Sequence, residues 1–165
     1  MTMAKWTVHG FDDYAAYLQR IGANSKEIIG VGVYAMAKVI ADNIKAKLNA
    51  LPAVSNEANI ATYKQGYSRL SVEEKKGLLD GFGVAPMQDD NGVWNVKIGF
   101  DGYNSIKTEK YPEGQPNPLI ARITESGSSY RKKTPFVRPA LNASKKPALE
   151  AGKHAVDQKI KELGQ

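Results

Sequence analysis

The sequence predicts an α+β fold, in which a long N-terminal helix and a kinked C-terminal helix pack on a small antiparallel β-sheet. Apolar residues recur at helical spacing between residues 24 and 48 and again near the end of the chain. Between these segments, residues 84–100 show the pattern of a hairpin with one buried face. The 165 residues are enough for a single domain with a hydrophobic core. Within this domain we expect an N-terminal helix or arm over residues 1–22 and a core over residues 23–165.

Two helices are predicted at the start of the chain. The first spans residues 11–21, where apolar residues share one face, and it ends at Gly22. Asn24 and Glu27 then match a capping box, which starts a long helix that runs to about residue 48. The residues of its apolar face step by three or four positions: Ile29, Val33, Met36, Ile40, Ile44 and Leu48.

Two glycines inside the long helix have alternative roles. Gly30 and Gly32 each cost about 1 kcal/mol relative to alanine in a helix interior. They either allow the backbone of another element to approach closely or mark a frayed first turn. The segment from Gly30 to Ala35 also matches a dinucleotide-binding fingerprint, but that motif must follow a strand, and here a capped helix has already begun. We therefore expect no nucleotide site.

A short helix is predicted in the middle of the chain. Residues 53–69 are polar with scattered tyrosines and are given no assignment. Ser71 and Glu74 then form a second capping box, in which each side chain accepts a hydrogen bond from the backbone N–H of the other residue. The helix that follows should run from residue 72 to residue 79 and end near Gly81.

A β-hairpin is predicted over residues 84–100. Asn91-Gly92 is a strong signal for a two-residue turn. Pro86 marks the first arm as an edge strand or an irregular strand. The second arm alternates, so that one face carries its apolar residues: Trp94, Val96, Ile98 and Phe100.

The last third of the chain begins with a long loop and ends with a helix. Glycines and prolines interrupt residues 101–118, and loops of this length in compact domains are usually functional or disordered. Residues 119–125 form either a short helix or a strand, and residues 127–133 are polar and basic. The final helix should begin near Arg138 and be kinked or restarted by Pro147. Its apolar stripe consists of Leu149, Val156, Ile160 and Leu163.

Basic charge is concentrated in the C-terminal third. The net charge is +6, but residues 1–104 contain 11 basic and 11 acidic side chains, whereas residues 105–165 contain 12 and 6. Such an excess attracts nucleic acid or an acidic protein surface, unless it is only the solvated face of a helix. The longest apolar stretch, from Ile28 to Ile40, is too short to span a bilayer, and the N-terminus lacks the apolar core of a signal peptide. We therefore expect synthesis in the cytoplasm and no membrane partner.

Residue types that carry enzymatic or metal chemistry are sparse. The chain has no cysteine, and its two histidines, His9 and His154, lie near opposite ends. Adjacent carboxylates such as Asp89-Asp90 flank a turn or occupy first helical turns, and adjacency alone does not place them across a cleft from each other. Residues 126–129 lack the spacing of a nucleophile elbow, and no histidine is placed to activate a serine. We expect no catalytic residue, no metal site and no cofactor.

One basic cluster is a candidate contact with nucleic acid. Arg131, Lys132 and Lys133 follow Tyr130, so the cluster could bind phosphate while the aromatic ring stacks on a base. No familiar nucleic-acid-binding motif accompanies the cluster. It therefore predicts non-specific contact with DNA at most.

The C-terminal third resembles a family of phage proteins. Glu125-Ser126-Gly127-Ser128 is followed by a basic loop, by Pro135-Phe136-Val137-Arg138-Pro139-Ala140-Leu141 and by a Lys/Glu-rich helix. This order is similar to that in the small neck or tail-completion proteins of long-tailed phages, typified by the tenth gene product of the HK ninety-seven phage. The minor tail protein Z of phage lambda is similar in role. The long helix, Gly77-Leu78-Leu79 and the hairpin resemble the upstream parts of the family, so the resemblance covers about residues 20–163.

The resemblance implies a structural protein of the virion, at the neck or at the end of the tail. Several copies would form a ring around the tail axis, contact other neck and tail proteins, and complete the tail so that it joins the head. At Asp80 and Phe82 the family often has arginine and serine, so family contacts at those positions do not transfer to this chain. The alternative function is a basic DNA-associating accessory protein, whose binding would weaken steeply with added salt.

Candidate contacts between subunits or with partners come from the long loop, the basic loop and the start of the final helix. Aromatic residues and arginine are enriched at protein interfaces. For Phe136 and Arg138, the alternative is that they lock the terminal helix onto the sheet. The candidates are Tyr103, Tyr111, Tyr130, Arg131, Lys132, Lys133, Phe136 and Arg138.

Overall fold

The computed structural model describes residues 11–63 and 65–164, except for the side chains of Phe11 and Asp12. These residues form helices and two small antiparallel sheets, which confirms the predicted α+β fold. The expected arm before residue 11, with His9, lies outside the described part. None of the described helices combines the length and the apolar character that a membrane crossing requires. In chain order the elements are α1 (Phe11–Ala23), α2 (Ser25–Ala50), α3 (Asn56–Tyr63), α4 (Val72–Asp80), β1 (Phe82–Val84), β2 (Gln88–Asp90), β3 (Val93–Asn95), β4 (Ile98–Phe100), α5 (Asn117–Ser126) and α6 (Val137–Leu163).

The two long helices, α2 and α6, pack against each other. The α6 side of this seam consists of small residues four positions apart: Ala140, Ser144, Ala148 and Gly152. A Cβ atom at Gly32 would lie 2.7 Å from Cγ2 of Val156, and one at Gly152 would lie 2.6 Å from Cγ of Met36. For Gly32, the structure therefore supports the role of allowing a close approach.

The predicted apolar faces of these helices are only partly correct. Ile44 and Leu48 are buried as predicted, but Ile29 is 38% exposed and Leu149 is 52% exposed. Because glycine and alanine let the helix backbones come together, larger side chains beside them lie at the edges of the seam. α6 also continues through Pro147 instead of restarting there, although proline removes one helical hydrogen bond.

The junction between α1 and α2 does not form the predicted capping box. Asn24 stands at the N-cap position, but its side-chain amide donates to the carbonyl of Arg20 at 2.8 Å instead of accepting from α2. Glu27 forms an ion pair with Lys159 on α6 at 2.6 Å. Since α1 continues to Ala23, its last carbonyl groups are available to the Asn24 amide.

The hydrophobic core lies where the C-terminal half of α2 meets α4, α5 and the start of α6. At the start of α4 the predicted capping box is confirmed: the hydroxyl of Ser71 accepts from the N–H of Glu74 at 3.1 Å, and Glu74 accepts from the N–H of Ser71 at 2.8 Å. α3 occupies part of the segment that has no sequence assignment, and α5 resolves residues 119–125 as helix. The buried core residues are Ile44, Leu48, Leu70, Leu78, Ile120, Ala121, Ile123, Phe136 and Ala140.

The predicted hairpin forms in two pieces instead of one continuous sheet. β2 and β3 flank the predicted turn, where Asn91 and Gly92 have φ angles of 57° and 85°. β1 and β4 pair at the base of the hairpin and pack on the core. Between the two pairs, Pro86 has no N–H to donate, and the N–H of Met87 donates to the hydroxyl of Tyr34 at 2.8 Å. The ladder is therefore interrupted near the proline that the sequence marks as irregular.

Candidate interaction surfaces

The long loop after the hairpin is closed at its base by hydrogen bonds. The side-chain oxygen of Asn104, a residue that is 5% exposed, accepts from the N–H groups of Ile106 at 2.9 Å and Gln115 at 3.1 Å. Gly114 has a φ of 117° and packs against the carbonyl of Asn104, where a Cβ atom has no room. A loop with a fixed base can present its tip, residues 105–113, as a defined surface. The loop ends slightly earlier than predicted, because α5 begins at residue 117.

The two loop tyrosines that are predicted as contacts lie in different surroundings. Tyr103 is 62% exposed beside the loop base. Tyr111 is half-buried and lines a cleft of about 650 Å³ between α3, the loop tip and α5. Tyr130 lies in the wall of the same cleft, with its ring 4.5 Å from that of Tyr63. We call this surface the tyrosine cleft, and its other apolar lining residues are Ile60, Ile106, Leu119, Ile120 and Ile123.

Arg131 is buried, which corrects its prediction as an exposed contact. Its side chain is 4% exposed, and Nη2 donates to both carboxylate oxygens of Glu74, at 2.7 Å and 2.9 Å. Its other nitrogen atoms lie near the hydroxyls of Ser68 and Thr124, at 3.5 Å and 3.4 Å. A buried carboxylate needs a cationic partner to offset the loss of water, and Arg131 supplies it. The ion pair ties the loop before α6 to the capped start of α4.

Lys132 and Lys133 remain exposed, and the fold adds Arg69 and Tyr67 to them. These side chains line a pocket of about 470 Å³ beside Leu51, the residue that follows α2. Tyr67 is 66% exposed. No acidic residue is among the described residues that line the pocket. We call this surface the basic pocket, and its composition suits an anionic partner.

Sequence reasoning missed the contribution of Arg69 and Tyr67. The N–H of Ser68 donates to the carbonyl of Tyr130 at 3.1 Å, and this bridge places the two distant segments side by side. In the sequence, the only signal is one arginine near two tyrosines in a segment without clear periodicity. That signal gives no reason to join these residues to the basic loop.

Phe136 and Arg138 stand at the start of α6, where Phe136 locks the helix in place. Phe136 is 1% exposed, and its ring lies 5.9 Å from that of Phe100 in β4, so it is not an exposed contact. The carboxylate of Glu125 accepts from the N–H groups of Phe136 at 2.7 Å, Val137 at 2.9 Å and Arg138 at 3.0 Å. Burial raises the pKa of Glu125, but these donors and the charge of Arg138 outweigh it, so the pKa lies below its ordinary value. Arg138 itself is exposed.

An apolar groove runs along the surface between α2 and α6. Its volume is about 400 Å³. It is lined in part by large side chains that lie at the edges of the contact between the two helices. The sequence assigns these residues to the core, so the groove is a surface that periodicity alone did not indicate. Contiguous exposed apolar surface often marks an interaction site. The residues that line the apolar groove are Ile29, Gly32, Val33, Met36, Leu149, Gly152, Lys153, Val156 and Asp157.

Glu74, Asp89 and His154 have structural or exposed positions. Glu74 is paired with Arg131, and the carboxylate of Asp89 accepts from the N–H of Gly92 at 2.6 Å within the turn. His154 is exposed on α6. Among residues 11–63 and 65–164, no group of three or more histidine or carboxylate side chains is placed to hold a metal ion.

Comparisons with family models, with curated proteins and with solved structures give no match to this chain. The resemblance to the phage family rests on its sequence motifs, and it stays a prediction.

Proposed function

We propose that this chain is a structural component of the neck or tail end of a long-tailed phage or prophage. It would help complete the tail and join it to the head, as several copies in contact with other neck and tail proteins. The structural observation that supports this proposal is the apolar groove. Ile29 and Leu149 on its edges are 38% and 52% exposed, although they belong to the two helices that form the body of the molecule. Such surface is removed from water when another protein docks on it.

The loop tip and the tyrosine cleft add support for an assembly role. The loop base is held by Asn104, so Tyr103 and the tip project from a fixed position. Tyrosine and apolar side chains in a concave surface are typical of the buried centre of an interface. The mechanism would be surface complementarity between copies and with the neighbouring proteins of the virion.

The basic pocket favours a second candidate, a DNA-associating accessory protein. Arg69, Lys132 and Lys133 could bind phosphate groups while Tyr67 stacks on a base. Binding that depends on phosphate contacts weakens steeply as salt is added, whereas an interface with an apolar core weakens less. Salt dependence therefore separates the two candidates.

Light scattering of the full chain, with and without DNA, tests the two candidates in solution. The assembly role predicts a discrete oligomer without DNA that persists in high salt and is dissociated by Leu149→Asp in the apolar groove. Leu141→Asp is the matched control, because Leu141 is 39% exposed on the same helix but does not line the groove. A monomer that forms a complex only with DNA and releases it in high salt supports the accessory protein.

Antibody labelling of purified virions tests the proposed location. The proposal predicts label at the neck or the tail end and particles with defective tails when the chain is absent. Virions that carry no label, together with normal tails in its absence, would refute the proposal whatever the mass in solution.

A further inference from the structure

The tip of the hairpin carries acidic charge, and in the described part of the chain no ammonium or guanidinium group lies within ion-pair distance of it. Asp89 and Asp90 are exposed, and residues 85–96 include no basic side chain. Neither aspartate takes part in the ion pairs of the described residues. The hydrogen bond from the N–H of Gly92 to Asp89 holds the turn, and Val93 beside it is 66% exposed. We call residues 89–93 the acidic tip.

The acidic tip and the basic pocket lie at opposite ends of α2. Lys26 in the first turn of α2 lies 5.3 Å from the ring of Trp94, next to the acidic tip. Leu51, just beyond the last turn, lines the basic pocket. From residue 26 to residue 51 a helix rises about 38 Å, so the acidic tip cannot enter the basic pocket of its own chain.

We infer that the acidic tip of one copy of this chain binds in the basic pocket of a second copy. Two carboxylates on a narrow turn would enter a concave surface that holds one guanidinium and two ammonium groups. Arginine and lysine donate charge-assisted hydrogen bonds to carboxylates, and opposite charges also steer the copies into the correct orientation. The inference rests on the proposed assembly role and adds a charged contact to that of the apolar groove. The groove contact should persist in high salt, whereas the charged contact should weaken as salt is added.

This contact is heterologous, because it joins two different surfaces of the same chain. A single head-to-tail contact leaves one acidic tip and one basic pocket free at the ends of the chain of subunits. Repetition of the contact produces a closed ring if the rotation between copies closes, and an open filament if it does not. A ring is the form that the proposed position around the tail axis requires.

Cysteine cross-linking tests the contact directly, since the chain has no cysteine of its own. Val93→Cys places a thiol at the acidic tip, and Thr134→Cys places one at the exposed edge of the basic pocket. With a short bis-maleimide at low salt, a mixture of the two variants should form covalent dimers, and each variant alone should form no covalent dimers. Absence of dimers in the mixture, or efficient dimers of Val93→Cys alone, overturns the inference.

Charge exchange provides a second test. Because charges are changed on each surface in turn and then on both, poor folding of a single variant cannot explain the expected pattern. The tip variant is Val93→Cys, and the pocket variant is Thr134→Cys. The dimer yield should fall at least about tenfold when the tip variant also carries Asp89→Lys and Asp90→Lys, because like charges then meet. It should fall as much when the pocket variant instead carries Lys132→Asp and Lys133→Asp. Mixing the two charge-exchanged chains should restore the yield. As the control, the tip variant carries Asp13→Lys and Glu150→Lys, which change its net charge as much as Asp89→Lys and Asp90→Lys do. Both control sites are exposed and lie outside the two surfaces, so the dimer yield should remain unchanged.

The outcomes separate this contact from the proposed function. Label at the virion neck without cross-links between tip and pocket would retain the function and overturn the contact. Cross-links that follow the charge exchange, from a chain that is absent from virions, would confirm the contact and overturn the function. Equal loss of yield in the Asp13 and Glu150 control would show that net charge alone causes the effect, and this too would overturn the inference.

Discussion

Arg131→Met removes the cationic partner of a carboxylate that remains buried. Glu74 is 3% exposed, and its two oxygens lose donors at 2.7 Å and 2.9 Å, so that among the described residues only the N–H of Ser71 remains as a partner. Breaking a buried ion pair from one side costs about 3–5 kcal/mol, because the remaining charge is neither hydrated nor compensated. Methionine replaces most of the apolar stem of arginine, so the loss should come from the charge and not from a large cavity. Domains of ordinary stability have only about 5–15 kcal/mol in total.

Urea denaturation followed by circular dichroism near pH 7 measures this loss. Glu74→Gln should also destabilise the chain, because it leaves the guanidinium without its anion. The double variant should lose less than the sum of the two single losses, since neither residual charge is then buried. Lys132→Met is the matched control, because Lys132 is exposed, and it should change the free energy of unfolding by at most about 0.5 kcal/mol. A loss of under about 1 kcal/mol for Arg131→Met, or additive losses in the double variant, would refute the reasoning.

Further predictions concern the helix seam, the cap of α6 and the loop base. Gly32→Val should lower the free energy of unfolding by about 1–3 kcal/mol in a urea titration, because its added atoms meet Val156. Gly22→Ala should not destabilise the chain, because within 4 Å its added Cβ meets no described atom beyond its chain neighbours and the backbone of its own helix. Glu125→Ala should cost about 1–2 kcal/mol at pH 7, since backbone N–H groups at the start of α6 lose their acceptor. The pKa of Glu125 in the folded chain lies below the ordinary value of 4.5. Its contribution to the free energy of unfolding is therefore complete above that value and is lost as the pH falls through the folded pKa. In acid titrations, the difference in free energy of unfolding between Glu125→Ala and the native chain should shrink accordingly. Asn104→Ala should cost about 1–3 kcal/mol and open the loop base, so that trypsin cleaves the loop tip faster than in the native chain; equal cleavage rates would contradict the hydrogen-bonded base.

Local signals predicted the elements whose partners are close in sequence. The capping box of Ser71 and Glu74 and the turn at Asn91-Gly92 formed as predicted, because every group that they need lies within a few residues. Asn24 and Glu27 show the same spacing, but Glu27 finds Lys159 on a distant helix, and Asn24 turns back to α1. A cap motif predicts a helix start well, and it does not predict which long-range partner will compete for its side chains.

Periodicity predicted the two long helices but not which residues meet between them. Ile29 and Leu149 belong to apolar stripes, and both are exposed because the helices meet along glycine and alanine positions instead. A stripe of large residues describes only the average direction of an apolar face. Gly32 and Gly152 decide how near the backbones come, and their pairing becomes visible only when both helices are placed.

The basic loop shows why a cluster of like charges cannot be assigned a partner from sequence. Neighbouring side chains point in different directions, so Arg131 is buried with Glu74 while Lys132 and Lys133 face outward beside Arg69. The cationic surface is thus made by two segments, and the hairpin of the same chain carries acidic residues that match it. DNA and a second copy would compete for this one pocket. For a chain that also forms the oligomer, binding of DNA by the free chain would therefore not decide between the two functions. Binding that persists in the assembled oligomer would require a cationic surface other than the basic pocket and would favour the accessory protein.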